Sequence, residues 1–233
     1  MRRNEILAMD SYVHVYNRGA KRMPIFRQEN DLLRLVYNLF YLNNQERAPE
    51  QWSRDLLRRN ALQKLEWPEE WGSRNPLVSI LAFSIMSNHF HLFLKPLVEG
   101  GVSQFVQRVC MSYSKYINEK YDESGSLFQG PFKSRLITED FQFQYLAAYI
   151  MVKNPFELYP GGLETAIRRF DDAFLYSSSS PLNSLGEYMG TRENSIVTKD
   201  LLGDLFTTTN SFKEFAHECM LYKLEQLESV ARV

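Results

Sequence analysis

Cysteine is nearly absent from this chain: two residues in 233, Cys110 and Cys219, with no CxxC pair. That excludes a disulfide framework and a zinc knuckle, and it fits a reducing compartment, so the expected location is cytoplasmic. Histidine is almost as scarce, with only His14, His89, His91 and His217. No window approaches 18 uninterrupted apolar residues, so no membrane span is expected. The opening segment, MRRNEILAMDSY, lacks the apolar core of a signal peptide. A GxxxxGK[ST] phosphate loop is missing too, so nothing points to ATP as an energy source. Internal repeats are also absent.

What is present suits one sizeable soluble domain, or one domain with an appendage. The net charge of −1 argues little for a nucleic-acid partner, but its distribution is uneven. Residues 1–155 carry 20 Lys+Arg against 16 Asp+Glu, and the remainder carries 7 against 12. A basic front and an acidic tail can leave one face positive.

Apolar alternation predicts a strand over 12–16, ended by the turn signal Asn17-Arg18-Gly19. Leu32, Leu33, Val36, Leu39 and Phe40 have helical spacing within 28–43. Residues 44–76 are polar, with Trp52, Trp67, Trp71 and five basic residues from Arg54 to Arg74; they read as an insertion with a short helix at 52–65. Residues 77–95 read as a β-hairpin turning at Met86-Ser87-Asn88. A long helix follows Gly100-Gly101, with Phe105, Val109, Ser112, Tyr116 and Ile117 on one side. A short strand is expected near 134–137. A helix over 139–153 should stop at Asn154-Pro155, because proline disfavours helix at the residue before it. Strand, helix, strand, strand, helix, strand is the order of a ferredoxin-like α+β fold, an antiparallel sheet with helices on one face. Residues 1–160 form the expected catalytic domain. Residues 161–233 form a helical C-terminal extension, with helices near 198–206 and 211–230.

Two of the four histidines form His89-Phe90-His91 at the start of a strand. Side chains at i and i+2 share a face, so both imidazoles can aim at one point. Zinc would want further Cys or His ligands, and no second cluster exists. Two histidines with an oxygen or amide donor leave open positions for phosphate and water, which suits Mg²⁺ or Mn²⁺. The bland alternative is a surface strand that happens to carry two histidines.

The stretch from Phe83 to Lys95, FSIMSNHFHLFLK, resembles the HUH strand of the single-tyrosine transposases, in particular the REP-associated tyrosine transposases and small insertion-sequence transposases. His14-Val-Tyr-Asn-Arg-Gly19 with Pro24-Ile-Phe26 resembles that family's opening strand. Residues 126–133, SLFQGPFK, resemble its central block, and Tyr149-Ile150 before Asn154-Pro155 resembles its nucleophile helix. The resemblance covers roughly 11–160; in the tail only 173–179 is loosely similar. It implies single-stranded DNA with hairpin structure as substrate, and cleavage through a 5′-phosphotyrosine. Tyr149 would be the nucleophile, with Tyr145 one turn earlier as the reserve. The family places an Asn or Gln four residues after the tyrosine, where it helps ligate the metal. Here position +4 is Lys153 and the amide, Asn154, stands at +5. Three resolutions are open. A one-residue helical bulge could restore Asn154 as ligand; Lys153 could replace the amide and contact phosphate; or Gln142 or Gln144 could be the third ligand.

Arg18, Lys21, Arg22 and Arg27 after the first strand, and Lys115, Lys133, Arg135 and Lys153 around the site, are candidate phosphate contacts. Phe128, Phe132, Trp52 and Trp71 are candidates to stack on unpaired bases. A homodimer is an open expectation. The competing reading is a non-catalytic single-strand-binding module on the same fold. A histidine-triad hydrolase would need a longer alternating histidine run, and position 93 is Phe.

Overall fold

The computed structural model describes residues 9, 11–49, 51–54, 65–193, 196–206 and 208–231. Four strands form one antiparallel sheet: β1 (Tyr12–Arg18), β2 (Val78–Ile85), β3 (His89–Pro96) and β4 (Lys133–Ile137), in the order β2-β3-β1-β4. Helix α1 (Glu29–Tyr41) joins β1 to β2, and α2 (Gly101–Tyr121) joins β3 to β4. This is the ferredoxin-like arrangement, with β1 and β3 side by side at its centre. The alternation in β1 decides what each face carries. Val13, Val15 and Asn17 are buried on one side, and Tyr12, His14, Tyr16 and Arg18 lie on the other. Val13, Val15, Leu92 and Leu94 pack with α1 and α2. Tyr113, rather than Ser112, completes the buried stripe of α2.

The second face is covered as well. Helix α3 (Asp140–Ala148) passes through a π turn (Tyr149–Lys153) and continues as Asn154–Phe156. Then come α4 (Gly162–Arg168), α5 (Phe170–Ser179), α6 (Leu185–Met189), α7 (Asp200–Leu205) and α8 (Thr209–Ala231). Leu81, Ala82 and Phe93 from the sheet share a core with Phe143 and Ile150 of the tyrosine helix and with Leu185, Leu202 and Phe212 of the tail. Helices therefore lie on both faces of the sheet, one more than expected. The tail also closes the outer edge of β2. Thr198 N–H donates to the Ile80 carbonyl at 2.9 Å, Ile85 N–H donates to Leu182 at 2.8 Å, and Phe83 N–H donates to Ser184 Oγ at 3.0 Å. An edge strand left bare would be a template for pairing with other chains.

Three local expectations change. The tyrosine helix does not stop at Asn154-Pro155, since Asn154 is itself helical. Pro155 stands in the first turn of the segment Asn154–Phe156 that follows the π turn, a position where proline is tolerated. Trp52 is buried, and Trp67 and Trp71 pack on the core, so the 44–76 insertion is anchored by its tryptophans. The helix expected at 52–65 lies mostly outside the described residues; 52–54 are helical.

Candidate active site

His89 and His91 project from the same face of β3, with ring centres 5.0 Å apart and planes nearly perpendicular. Pairing of β1 with β3 adds a third imidazole. His14 Nε2 lies 2.9 Å from His91 Nδ1, and the two rings stack at 5.1 Å. His89 Nδ1 lies 2.7 Å from Asn88 Oδ1, and Asn88 Nδ2 donates to the Arg22 carbonyl at 3.0 Å. The loop after β1 is tied to this turn by Gly19 N–H to Asn88 O (2.8 Å) and Ile25 N–H to Ser87 O (2.9 Å). Position 19 must be glycine, because a Cβ there would strike the Met23 carbonyl as the loop folds back. His89 and His91 thus each have Nδ1 engaged, and each Nε2 has no protein partner among the described residues. Burial pushes His91 down to about 2 and His14 to about 4, helped at His14 by the charge of Arg135. Burial, then Arg18, also lowers His89. All three are held neutral at pH 7, the form that ligates metals.

Tyr149 stands against this group, its ring centre 5.3 Å from that of His91 and 6.3 Å from that of His14. Tyr145 instead stacks on Phe141 at 6.2 Å and is 41% exposed. The π turn provides the one-residue bulge: Asn154 N–H donates to the Tyr149 carbonyl, an i to i+5 bond. Asn154 is fully buried, and its Nδ2 donates to Ser84 Oγ at 3.1 Å. Ser84 is the residue opposite His91 in the β2–β3 ladder. Among the described residues Asn154 Oδ1 has no hydrogen-bond partner. An orphaned buried acceptor costs about 1–3 kcal/mol, so such an atom calls for an explanation. Lys153 Nζ sits 5.0 Å over the Tyr149 ring centre and bonds Glu157 Oε1 at 2.5 Å. Of the three candidate amides, Asn154 is the one hydrogen-bonded to the histidine hairpin. Among the described residues no group of three or more His, Cys, Asp or Glu side chains is placed to hold a metal ion. Two free imidazole nitrogens and one unpartnered carbonyl oxygen fit a hard divalent ion that keeps open positions.

One comparison bears directly on this hairpin and the helix that faces it. Residues 66–153 match the family model for IS200-like transposases. The matched stretch spans the β2–β3 hairpin, α2, β4 and the helix through Lys153. No curated protein matches the chain. A similar solved structure is that of a REP-associated tyrosine transposase bound to a REP hairpin, with a TM-score of 0.45 at 10% identity, over 85% of this chain and 90% of that one. That likeness is loose, and the fold assignment rests on the strand order and registers described above.

The candidate basic residues divide into two groups. In the β1–β4 ladder Lys133 faces Tyr16 and Arg135 faces His14, so both exposed side chains flank the histidine face. Arg18 stands opposite His89. Lys21 and Arg22 are exposed on the loop bonded to Ser87 and Asn88. Lys115 does not flank the site. It lies on the outer side of α2, across the sheet from the histidines, 3.7 Å from Glu119. Arg27 pairs with Glu123 at 2.6 Å, and Lys153 is bonded to Glu157. Phe128 and Trp52 are buried and unavailable for stacking, while Phe132 is half-exposed. His14 and Asn88 are site residues that the sequence reading passed over. His14 alternates with Tyr12 and Tyr16, but only the β1–β3 register brings it to His91.

This division gives a measurable expectation. Lys133→Ala and Arg135→Ala should each weaken binding of a single-stranded hairpin oligonucleotide and lower the log Kd against log[salt] slope by about 0.7. Lys115→Ala should leave the slope unchanged. Fluorescence anisotropy across a salt series checks this, and a Lys115 effect equal to that of Lys133 would overturn the assignment of the DNA face.

Proposed function

We propose that the chain is a metal-dependent single-stranded DNA endonuclease and strand transferase, a transposase acting through a 5′-phosphotyrosine at DNA hairpins. The observation that carries the reading is the π turn, which sets Tyr149 against His91 while the buried Asn154 amide donates to Ser84, the residue opposite His91. The Tyr149 hydroxyl oxygen attacks a backbone phosphorus. The Tyr–O–P bond forms as the P–O3′ bond breaks, the phenol proton passes to solvent, and the departing 3′ oxygen takes up a proton. Attack of a 3′-OH on the phosphotyrosine reverses the exchange and rejoins a strand, so no ATP is needed. His89, His91 and Asn154 would hold Mg²⁺ or Mn²⁺, which when bound supplies polarisation of the scissile phosphate. Arg18, Lys21, Arg22, Lys133 and Arg135 hold the flanking phosphates.

The polarity of the product tests this reading. A hairpin oligonucleotide labelled at its 3′ end, incubated with protein and Mn²⁺, should carry label into a protein band on a denaturing gel. The same DNA labelled at its 5′ end should not, and EDTA should abolish the band. Tight hairpin binding with no adduct across a panel of hairpin sequences would replace this reading with that of a non-catalytic binding module.

A further inference from the structure

We infer that His14 is a positioning residue: its Nε2 accepts a hydrogen bond from His91 Nδ1–H and so fixes the tautomer that leaves the His91 Nε2 lone pair for the ion. The inference rests on the metal-centred reading above, but its first readout does not. The two nitrogens are 2.9 Å apart, so one proton lies between them. If His14 were the donor, the His91 proton would sit on Nε2, inside a residue only 6% exposed, with no acceptor among the described residues. That arrangement would also block the one nitrogen of His91 not already engaged. The opposite arrangement leaves a lone pair there, which is what a metal needs.

The fold holds His14 for this task. In the β1–β3 ladder Tyr16 faces His91 and Phe93 faces His14, so His14 reaches His91 diagonally. Its ring is kept in that reach by Tyr16, at 5.2 Å between ring centres, and by the Tyr149 ring at 6.3 Å. His89 is fixed through Asn88, an anchor of different chemistry but the same effect. Each ligand imidazole therefore has its own hydrogen-bonding partner, and that partner, rather than the ligand, sets which nitrogen is free.

The test uses His14→Phe, which keeps an aromatic ring and removes the acceptor, and His14→Gln, which keeps an acceptor. Long-range ¹H–¹⁵N spectra of the metal-free full chain should show His91 protonated at Nδ1 in the wild type and in His14→Gln, and shifted toward Nε2 protonation in His14→Phe. Mn²⁺ affinity by calorimetry should fall about 10–100-fold in His14→Phe and stay within a few-fold in His14→Gln. Dispersed amide spectra of both variants establish that they fold. Nε2 protonation of His91 in the metal-free wild type would overturn the proposal. So would loss of Mn²⁺ binding in His14→Gln as complete as in His91→Ala, which would make His14 a ligand. If no covalent DNA adduct forms at all, the transposase reading fails while the tautomer result still decides the role of His14.

Discussion

Tyr149→Phe is expected to abolish the covalent DNA adduct, with a loss on the order of 10⁴-fold or more, while Tyr145→Phe retains it within a few-fold. The substitution removes one oxygen and keeps the ring that packs on His91 and His14. The Tyr149 hydroxyl has no hydrogen-bond partner among the described residues, so the change should leave stability within about 0.5 kcal/mol and hairpin affinity nearly unaltered. That separation of binding from chemistry identifies a nucleophile. Tyr145 is one helical turn earlier, and its ring is turned onto Phe141. Burial, followed by proximity to Cys219, raises its hydroxyl, which makes the phenolate harder to form. Quantifying adduct on a denaturing gel with 3′-labelled DNA decides between the two. An adduct that survives Tyr149→Phe and disappears in Tyr145→Phe would transfer the role to Tyr145.

The parts of this site that could be read from the sequence are those set by local periodicity. The two-residue period of a strand is enough to put His89 and His91 on one face. Tyr149 and its amide at +5 are singled out by the resemblance to the single-tyrosine transposases rather than by periodicity, and a helical bulge is one of three ways left open to account for the extra residue. What the sequence does not carry is adjacency between distant segments. His14 belongs to the site only because β1 lies between β3 and β4, and Ser84 anchors Asn154 only because β2 pairs with β3. Lys115 was misplaced for the same reason: periodicity gives the buried stripe of α2 but not the face of the sheet it covers. The π turn hid a further error, since Pro155 reads as a stop unless the register shift before it is known. In the tail, helices are expected near 198–206 and 211–230, and α4 and α5 form upstream of them because Ala166, Ile167, Phe170, Ala173 and Phe174 are buried in the core shared with the tyrosine helix and α8. Packing overrode weak local propensity.

Asp31→Ala should destabilise the fold by about 3–5 kcal/mol. Asp31 is completely buried at the start of α1 and accepts five hydrogen bonds. Oδ1 takes Lys120 Nζ at 2.6 Å and Tyr116 OH at 3.1 Å. Oδ2 takes Tyr121 OH at 2.7 Å and the backbone N–H groups of Arg27 and Gln28 at 3.0 Å each. The Gln28 contact is half of a capping box, whose other half is the Gln28 side chain accepting from the Asp31 N–H. Removing the carboxylate therefore unpairs two backbone donors and two phenolic hydroxyls, takes from Lys120 the shortest of its three hydrogen bonds, and loosens the junction between α1 and the end of α2. Lys120→Met should cost less, about 1 kcal/mol, because the lysine is partly exposed and Asp31 keeps four donors without it. Burial alone would raise the Asp31 carboxyl, but the bonds from Lys120, Tyr121 and the two backbone N–H groups outweigh it and hold the group well below the usual carboxylate range. A group depressed on folding stabilises the native state fully above its unfolded value of about 3.9, and that contribution is lost as pH falls toward the folded value. Stability of the wild type should therefore drop between about pH 4 and lower pH more steeply than that of Asp31→Ala, and the gap between the two should narrow with acid. Urea melts at pH 7 and at a series of acid pH values measure both effects, with the slope m unchanged if the native and unfolded states keep their compactness. A loss below 1 kcal/mol at pH 7, or a gap that does not close with acid, would mean that the α1–α2 junction is held by its apolar contacts rather than by this carboxylate.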